Sequence, residues 1–412
     1  MKTSNKHGRI AAVIASEVRT IFTNYSILLV LAGGIFVYGL LYNYMYAPNL
    51  IRHAPVVVVD RSHSALSREY ARLLDAAPQV EVRTAGAGFP EARRMMTRGE
   101  AVGIVYLPSD FDDRVNRGEE SVFILYGSTE AFLYYEALQE AVTGAMLELD
   151  GRCRPQMLVF LPQQAVMPVT QTPAMTISGT ALYNHTGGYG SYLIPAVLMI
   201  IIFQTLLMVI GMIGGGERAT GSIRRFAACG LSWGGMARVV AGKTFVYYML
   251  YALFSIFLLG LLPVLFSLPD IGDKYRIAML MIPYLMATSF FGLAATVFFT
   301  DSEAPVLMIA FFSVGLIFLS GVSYPLELMP WYWKAAHFVF PAAPGTLAFI
   351  KLNSMGASMA DIRTEYLTLW VQCAVYFVLA CMAYRRNVAL ALRTDGFLSD
   401  RSLPDKCGET AR

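Results

Sequence analysis

Residues Ala237 to Thr244 read ARVVAGKT, which fits the permissive phosphate-loop pattern of Ala or Gly, four free positions, Gly-Lys and then Ser or Thr. In such a loop the backbone N–H groups wrap a phosphate chain and the lysine reaches its outer oxygens. Upstream, GGGERATGS from Gly214 to Ser222 adds glycines and the charges of Glu217 and Arg218. Nucleotide chemistry needs more than these letters, because the loop must follow a buried strand and open a helix whose N-terminus faces the phosphates. Here Lys243 and Thr244 open a long apolar run, and the free positions Arg238 to Ala241 hold no glycine. The match is therefore accidental, and GERATGS lacks the lysine altogether. Any ATP this protein uses is expected on another polypeptide.

The elements around this stretch are set by composition. Only 15% of residues are charged and 56% are hydrophobic, against about a quarter charged in soluble domains. A helix needs roughly 20 apolar residues to cross the hydrocarbon core. Six runs qualify: Ser26 to Tyr46, Tyr192 to Gly214, Thr244 to Leu268, Ile277 to Thr300, Ala304 to Leu326 and Tyr366 to Tyr384. As delimited they hold no Asp, Glu, Lys, Arg or His in their cores. Ion-coupled carriers place such groups along their relays, so a self-powered secondary transporter is disfavoured.

Basic flanks set the expected orientation, since cations beside a span stay on the cytoplasmic side. Lys2, Lys6, Arg9 and Arg19 precede the first span; Arg218, Arg224, Arg225, Arg238 and Lys243 lie between the second and third; Arg385 and Arg386 follow the last. Both termini are then cytoplasmic, with the tail from residue 385 to 412, and residues 47–191 form a large outside domain. The first span is longer than a signal-peptide core and starts after a polar arm, so it reads as an uncleaved anchor. In that arm, residues 1–25, helical spacing puts Ile10, Val13, Ile14, Val18, Ile21 and Phe22 together, with Arg9, Glu17 and Arg19 on or near the other side. This predicts an amphipathic helix in the inner interface.

The outside domain alternates short strands, such as APVVVVD ending at Asp60, with amphipathic segments, the first capped by Ser64. The pattern predicts a small α/β domain, with SDFDDRVNRGE as a turn, a long helix from Thr129 to Leu149 and a less regular stretch from 151 to 190 containing Pro155, Pro162, Pro168 and Pro173. Of five cysteines only Cys153 lies in this domain, and no metal-type CxxC spacing occurs. No metal or cofactor is therefore expected on this chain. The fold class is an α-helical integral membrane protein of six transmembrane helices, plus an extracytoplasmic α/β domain between spans 1 and 2. Spans two to six occupy residues 192–384, with a cytoplasmic loop at 214–243 and outer interfacial helices over 327–365.

The whole layout resembles the permease subunits of bacterial ABC type-2 transporters, in the branch with a large extracytoplasmic insertion. The most specific piece is LSGVSYPLELMPWYW, in which Ser320, Gly321, Tyr324, Pro325, Met329 and Pro330 match the family's Ser-Gly, aromatic-Pro and Met-Pro signature. ERATGS is similar to its acidic element after the second span: Glu217 and Gly221 fit, Ser222 replaces Thr, and Ala219 replaces a second acid. Gly242 and Lys243 match the GK with which the family begins its third span. VVVVDRSHSALSREYARLLDAA and MTRGEAVGIVYLPSDFDDRVNRGE resemble segments of the family's outside domain.

The resemblance implies a permease without an ATPase site, working with cytoplasmic ATPase subunits that bind ATP and magnesium, and with a second copy of itself or a sibling as dimer partner. Glu217, Arg218, Gly221 and Ser222 would couple it to the ATPase, whereas the positive-inside bias of a solvated basic loop accounts well for Arg224, Arg225 and Arg238. Ser320 to Pro330 forms either a gate or a structural break. The implied role is export across a bacterial inner membrane, with the outside domain contacting the substrate or a periplasmic membrane-fusion adaptor; no nucleic-acid partner is expected. The alternative is a membrane-anchored sensor or scaffold in which the outside domain binds a ligand and no transport occurs.

Overall fold

The structure is a computed structural model describing residues 4–46, 50–85, 88–117, 123–127, 132–160, 188–268 and 270–401. Pro162, Pro168, Pro173 and Cys407 lie outside the described residues. The chain divides into two compact units, Met1–Ala47 with Gly190–Arg412, and Pro48–Tyr189.

The N-terminal arm is helical, as its periodicity predicts: α1 covers Ser4–Thr23. Asn24 leaves the helix in an extended conformation, and its side-chain oxygen accepts from the amides of Ser26 and Ile27. That cap starts α2, the apolar helix Tyr25–Met45. The buried line of α1 is Val13, Glu17 and Ile21, while Val18 and Phe22 are exposed. This corrects the expected apolar face, because the acid at position 17 points inward.

The inserted unit is a four-stranded sheet of order β2-β1-β3-β4, built from β1 (Ala54–Asp60), β2 (Val80–Ala85), β3 (Gly103–Leu107) and β4 (Ile124–Gly127). β1 pairs in parallel with β2 and β3, and β4 closes antiparallel on β3. Alternation along β1 serves two cores. Val56 and Val58 meet Tyr70 and Leu74 of α3 (Ala65–Asp75) and Leu138 of α6 (Phe132–Phe160), while Val57 and Val59 meet Ala92 of α4 (Phe89–Thr97). A strand covered on both faces needs an unbroken apolar run, and each buried valine contributes roughly 1.5–3 kcal/mol.

Ser64 caps α3 as expected: its hydroxyl accepts from the Ser67 amide, Ser67 returns the bond, and the Ser67 hydroxyl also donates to Asp60 at 2.6 Å. The expected turn after β3 is instead α5 (Phe111–Arg117). Phe111 is buried, Asp112 and Asp113 sit in the first turn and Arg114 and Arg117 in the last, the arrangement a helix dipole favours. α6 runs to Phe160, past the expected end at Leu149 and through Gly151 and Pro155.

In the membrane unit, α7 (Tyr189–Ala219), α8 (Trp233–Leu265), α9 (Lys274–Phe298) and α13 (Arg363–Arg401) join α2 as helices long and apolar enough to cross a bilayer. α7 is the hub: 83% of its most apolar stretch is buried, against 28% for α2 and 33% for α8. Outward residues such as Leu253, Ile256, Val264 and Phe311 are exposed and apolar, which suits hydrocarbon rather than water. The segment expected as a full fifth span is helical only over α10, Ala304–Leu319, 16 residues or about 24 Å. Gly321, at φ +85°, ends it. Then α11 (Trp331–His337) and α12 (Ala342–Met355) meet at 82°; by length and composition five helices among the described residues can cross a bilayer, or six if this bent pair is one span.

Gly215 of α7 admits a close helix-to-loop approach, since a Cβ there would stand 1.8 Å from the Asp301 carbonyl oxygen. Gly144 of α6 has nothing within 4 Å of the same position. Gly215→Ala should therefore cost about 1–3 kcal/mol, and Gly144→Ala should be neutral or stabilising by about 0.5–1 kcal/mol. Thermal unfolding of both variants in detergent checks the contrast; equal midpoints would refute the close approach.

Candidate functional site

The residues that imitated a phosphate loop build a buried ion cluster. Lys243 lies in α8, fully buried, and its Nζ donates to Glu17 Oε2 of α1 at 2.7 Å and to Glu217 Oε1 of α7 at 2.9 Å. The Tyr247 hydroxyl, one turn further along α8, donates to the other Glu17 oxygen. Arg225 Nη2 reaches Glu217 Oε1 at 2.6 Å from the half-exposed side. The ammonium also lies 5.1 Å from the Phe226 ring centre and 5.7 Å from that of Tyr384 on α13, within range of a cation–π attraction. Two carboxylates face one ammonium and one guanidinium, so the formal charge balances.

Gly242 sits where α1 crosses α8 beside this cluster. A Cβ there would lie 3.2 Å from Val13 Cγ1, so glycine makes room for the close crossing of α1, which carries Glu17. Gly-Lys thus works here as a helix-crossing residue followed by an ionic anchor.

The loop after α7 is held by its neighbours. Arg218 Nη1 donates to the carbonyls of Thr296, Val297 and Phe299 at 3.2, 2.7 and 2.9 Å, capping the C-terminal end of α9. Gly221 takes the left-handed conformation, φ +68°, and opens the 3-10 helix Ser222–Cys229. Ile223, Phe226 and Cys229 are buried at the three-residue period of that helix. Ser222 and Ala228 are exposed, followed by exposed Leu231 and Trp233. Between α9 and α10, the amides of Ala304 and Glu303 donate to Asp301 and hold its carboxyl below the usual range.

At the other end of α7 the signature segment makes a tight reversal. Ser320 is buried, and its hydroxyl donates to the Ile317 carbonyl. Gly321 turns the chain, Pro325 and Pro330 precede two short helices, Met329 is buried and Tyr324 is exposed. The Tyr192 hydroxyl donates to the Val322 carbonyl, and His337 Nδ1 lies 2.9 Å from the Leu319 carbonyl. Tyr192 and Glu217 belong to one helix, which separates the reversal from the ion cluster by about 38 Å. Glu217, Arg218, Gly221 and Ser222 thus cluster at one end of the unit, and Ser320 to Pro330 at the other.

Sequence reading missed Glu17, Tyr247, Tyr384 and His337. For Glu17 a signal existed, because Val13, Glu17 and Ile21 are four apart and share one helix line. Tyr247 and Tyr384 look like any aromatic residues of a span, and His337 gives no local sign.

Apolar helices of bilayer-crossing length, with an α/β domain inserted after the first, define a polytopic membrane protein. Among the described residues no cluster of His, Cys, Asp or Glu could hold a metal ion. The family model described as ABC-2 family transporter protein matches residues 25–382, so the chain belongs to that family, as its motifs indicated. It is a permease component of an ABC transporter, and membership implies association with an ABC ATPase subunit. No individual curated protein matches it significantly.

Removing Lys243 would leave two carboxylates buried together, at a cost of about 3–5 kcal/mol. Lys243→Met should lower the unfolding midpoint strongly, and the triple variant E17Q/K243M/E217Q should regain most of the loss because no buried charge is left over. Calorimetry in detergent distinguishes this from a K243M protein as stable as wild type, which would deny the cluster its structural part.

Proposed function

We propose that the chain is the membrane subunit of an ATP-driven exporter in a bacterial inner membrane, with both termini cytoplasmic, the inserted α/β domain periplasmic, and two permeases paired with two ATPase subunits. The observation that carries this reading is the bridge from Glu217 through Lys243 to Glu17. It bonds the loop expected to meet the ATPase to the arm helix and the third span.

The coupling residues divide the task. Ser222, Ala228, Leu231 and Trp233 supply the accessible face on which an ATPase docks, and Gly221 sets its angle. Glu217 is buried, so it acts through Lys243 rather than by touching the partner; Arg218 passes displacement to the end of α9. Packed elements with discrete arrangements carry such movement as rigid bodies. Ser320 to Pro330, at the far end of α7, would gate release on the periplasmic side.

Co-purification with a candidate ATPase, followed by hydrolysis measurements, tests the reading. Trp233→Ser should weaken the complex. Glu17→Gln should leave assembly intact while reducing permease-dependent hydrolysis by about 2- to 30-fold, equivalent to 0.5–2 kcal/mol of coupling. Failure of any ATPase to associate would favour the sensor or scaffold alternative, and normal hydrolysis in the Glu17 variant would remove the cluster from the coupling path.

A further inference from the structure

We infer that a cavity in the membrane unit, of about 580 Å³, binds one acyl chain of an anionic phospholipid, with Arg386 at the headgroup end. Its volume falls within the roughly 300–1,000 Å³ of small-molecule sites. Phe203 and Leu207 of α7, Phe291 of α9 and Phe312 of α10 wall it, and the charged side chain in its lining is Arg386.

Shape and polarity both point to a lipid tail. From α13 the cavity takes Tyr376, Leu379, Met382, Ala383 and Arg386, one helix face about 15 Å long. The space is thus apolar along its length and cationic at one end. Its rim residues Phe298, Phe312 and Met382 are exposed, on a surface otherwise made of hydrocarbon-facing side chains, so the occupant arrives sideways from the bilayer. Arg386 has no ion-pair partner among the described residues, and it belongs to the basic Arg385-Arg386 pair that follows the last apolar run. A guanidinium there meets the phosphates of anionic lipids. The Val297 and Phe299 that border the cavity give their carbonyls to Arg218, so an occupant would also brace the loop after α7.

The test titrates the purified full-length chain with phosphatidylglycerol and phosphatidylcholine of identical chains, read by native mass spectrometry. Wild type should prefer phosphatidylglycerol by about fivefold, the yield of one cation beside an anionic headgroup. Arg386→Gln should erase that preference, and Ala295→Leu, which fills the cavity from α9, should weaken both lipids. Thermal unfolding midpoints near wild type certify that both variants are folded; if Ala295→Leu fails to fold, the Arg386 result alone decides. Equal binding of the two lipids by wild type, or a preference that survives Arg386→Gln, overturns the proposal. So does oleate displacing phosphatidylglycerol, which would make the ligand a free fatty acid. A Phe312→Cys cross-linked dimer in native membranes, absent from wild type, would assign the cavity to a second copy and also overturn it.

Discussion

Lys243 carries a full positive charge at a place water does not reach. Desolvating such an ion costs several kcal/mol, and only close carboxylates with good geometry repay it. Here repayment comes from two acids on two other helices, Glu17 on α1 and Glu217 on α7, with aromatic faces on the remaining side. No single one of these helices can move far without exposing an uncompensated charge. The bundle end is thereby fixed as a unit, and the glycine before the lysine makes room for the close crossing of α1 and α8.

The rest of the membrane unit follows from that anchoring. α7 runs from the cluster to the signature reversal, and it is the most buried of the apolar spans. Arg218, one residue beyond Glu217, ties the same end to the last carbonyls of α9, and Gly215 admits the Asp301 loop against the helix. Lipid-facing helices contribute less to the lock, since apolar side chains gain no hydrophobic drive by choosing a neighbour over a lipid tail and are left with van der Waals packing. Specific polar contacts at the two ends of α7 therefore define the helix arrangement more sharply than apolar packing alone.

Much of this was legible in the sequence. Apolar runs fixed the helices because length and hydropathy are local properties, and Ser64 announced its cap. Other features depend on distant partners. The acid at position 17 looked solvated because its apolar neighbours suggested another face, and only Lys243, 226 residues away, explains why it turns inward. Hydropathy also cut the second and third spans just short of Glu217 and Lys243, so ionisable residues at the helix ends escaped notice. α10 stops early because Gly321 turns left-handed, a conformation that composition does not reveal. The accidental phosphate-loop match has a physical resolution: glycine serves a helix crossing and lysine serves two acids.

Through Arg225, Glu217 and Lys243, the cluster makes the arm helix and the 3-10 helix of the loop one mechanical body. Hydrogen exchange on the permease–ATPase complex measures this directly, because amides that open together share a protection level. In Lys243→Met, amides of residues 10–21 and 222–229 should lose protection together, while those of residues 277–293 stay as in wild type. Loss confined to either segment alone, or to α8 around the substitution, would contradict the account.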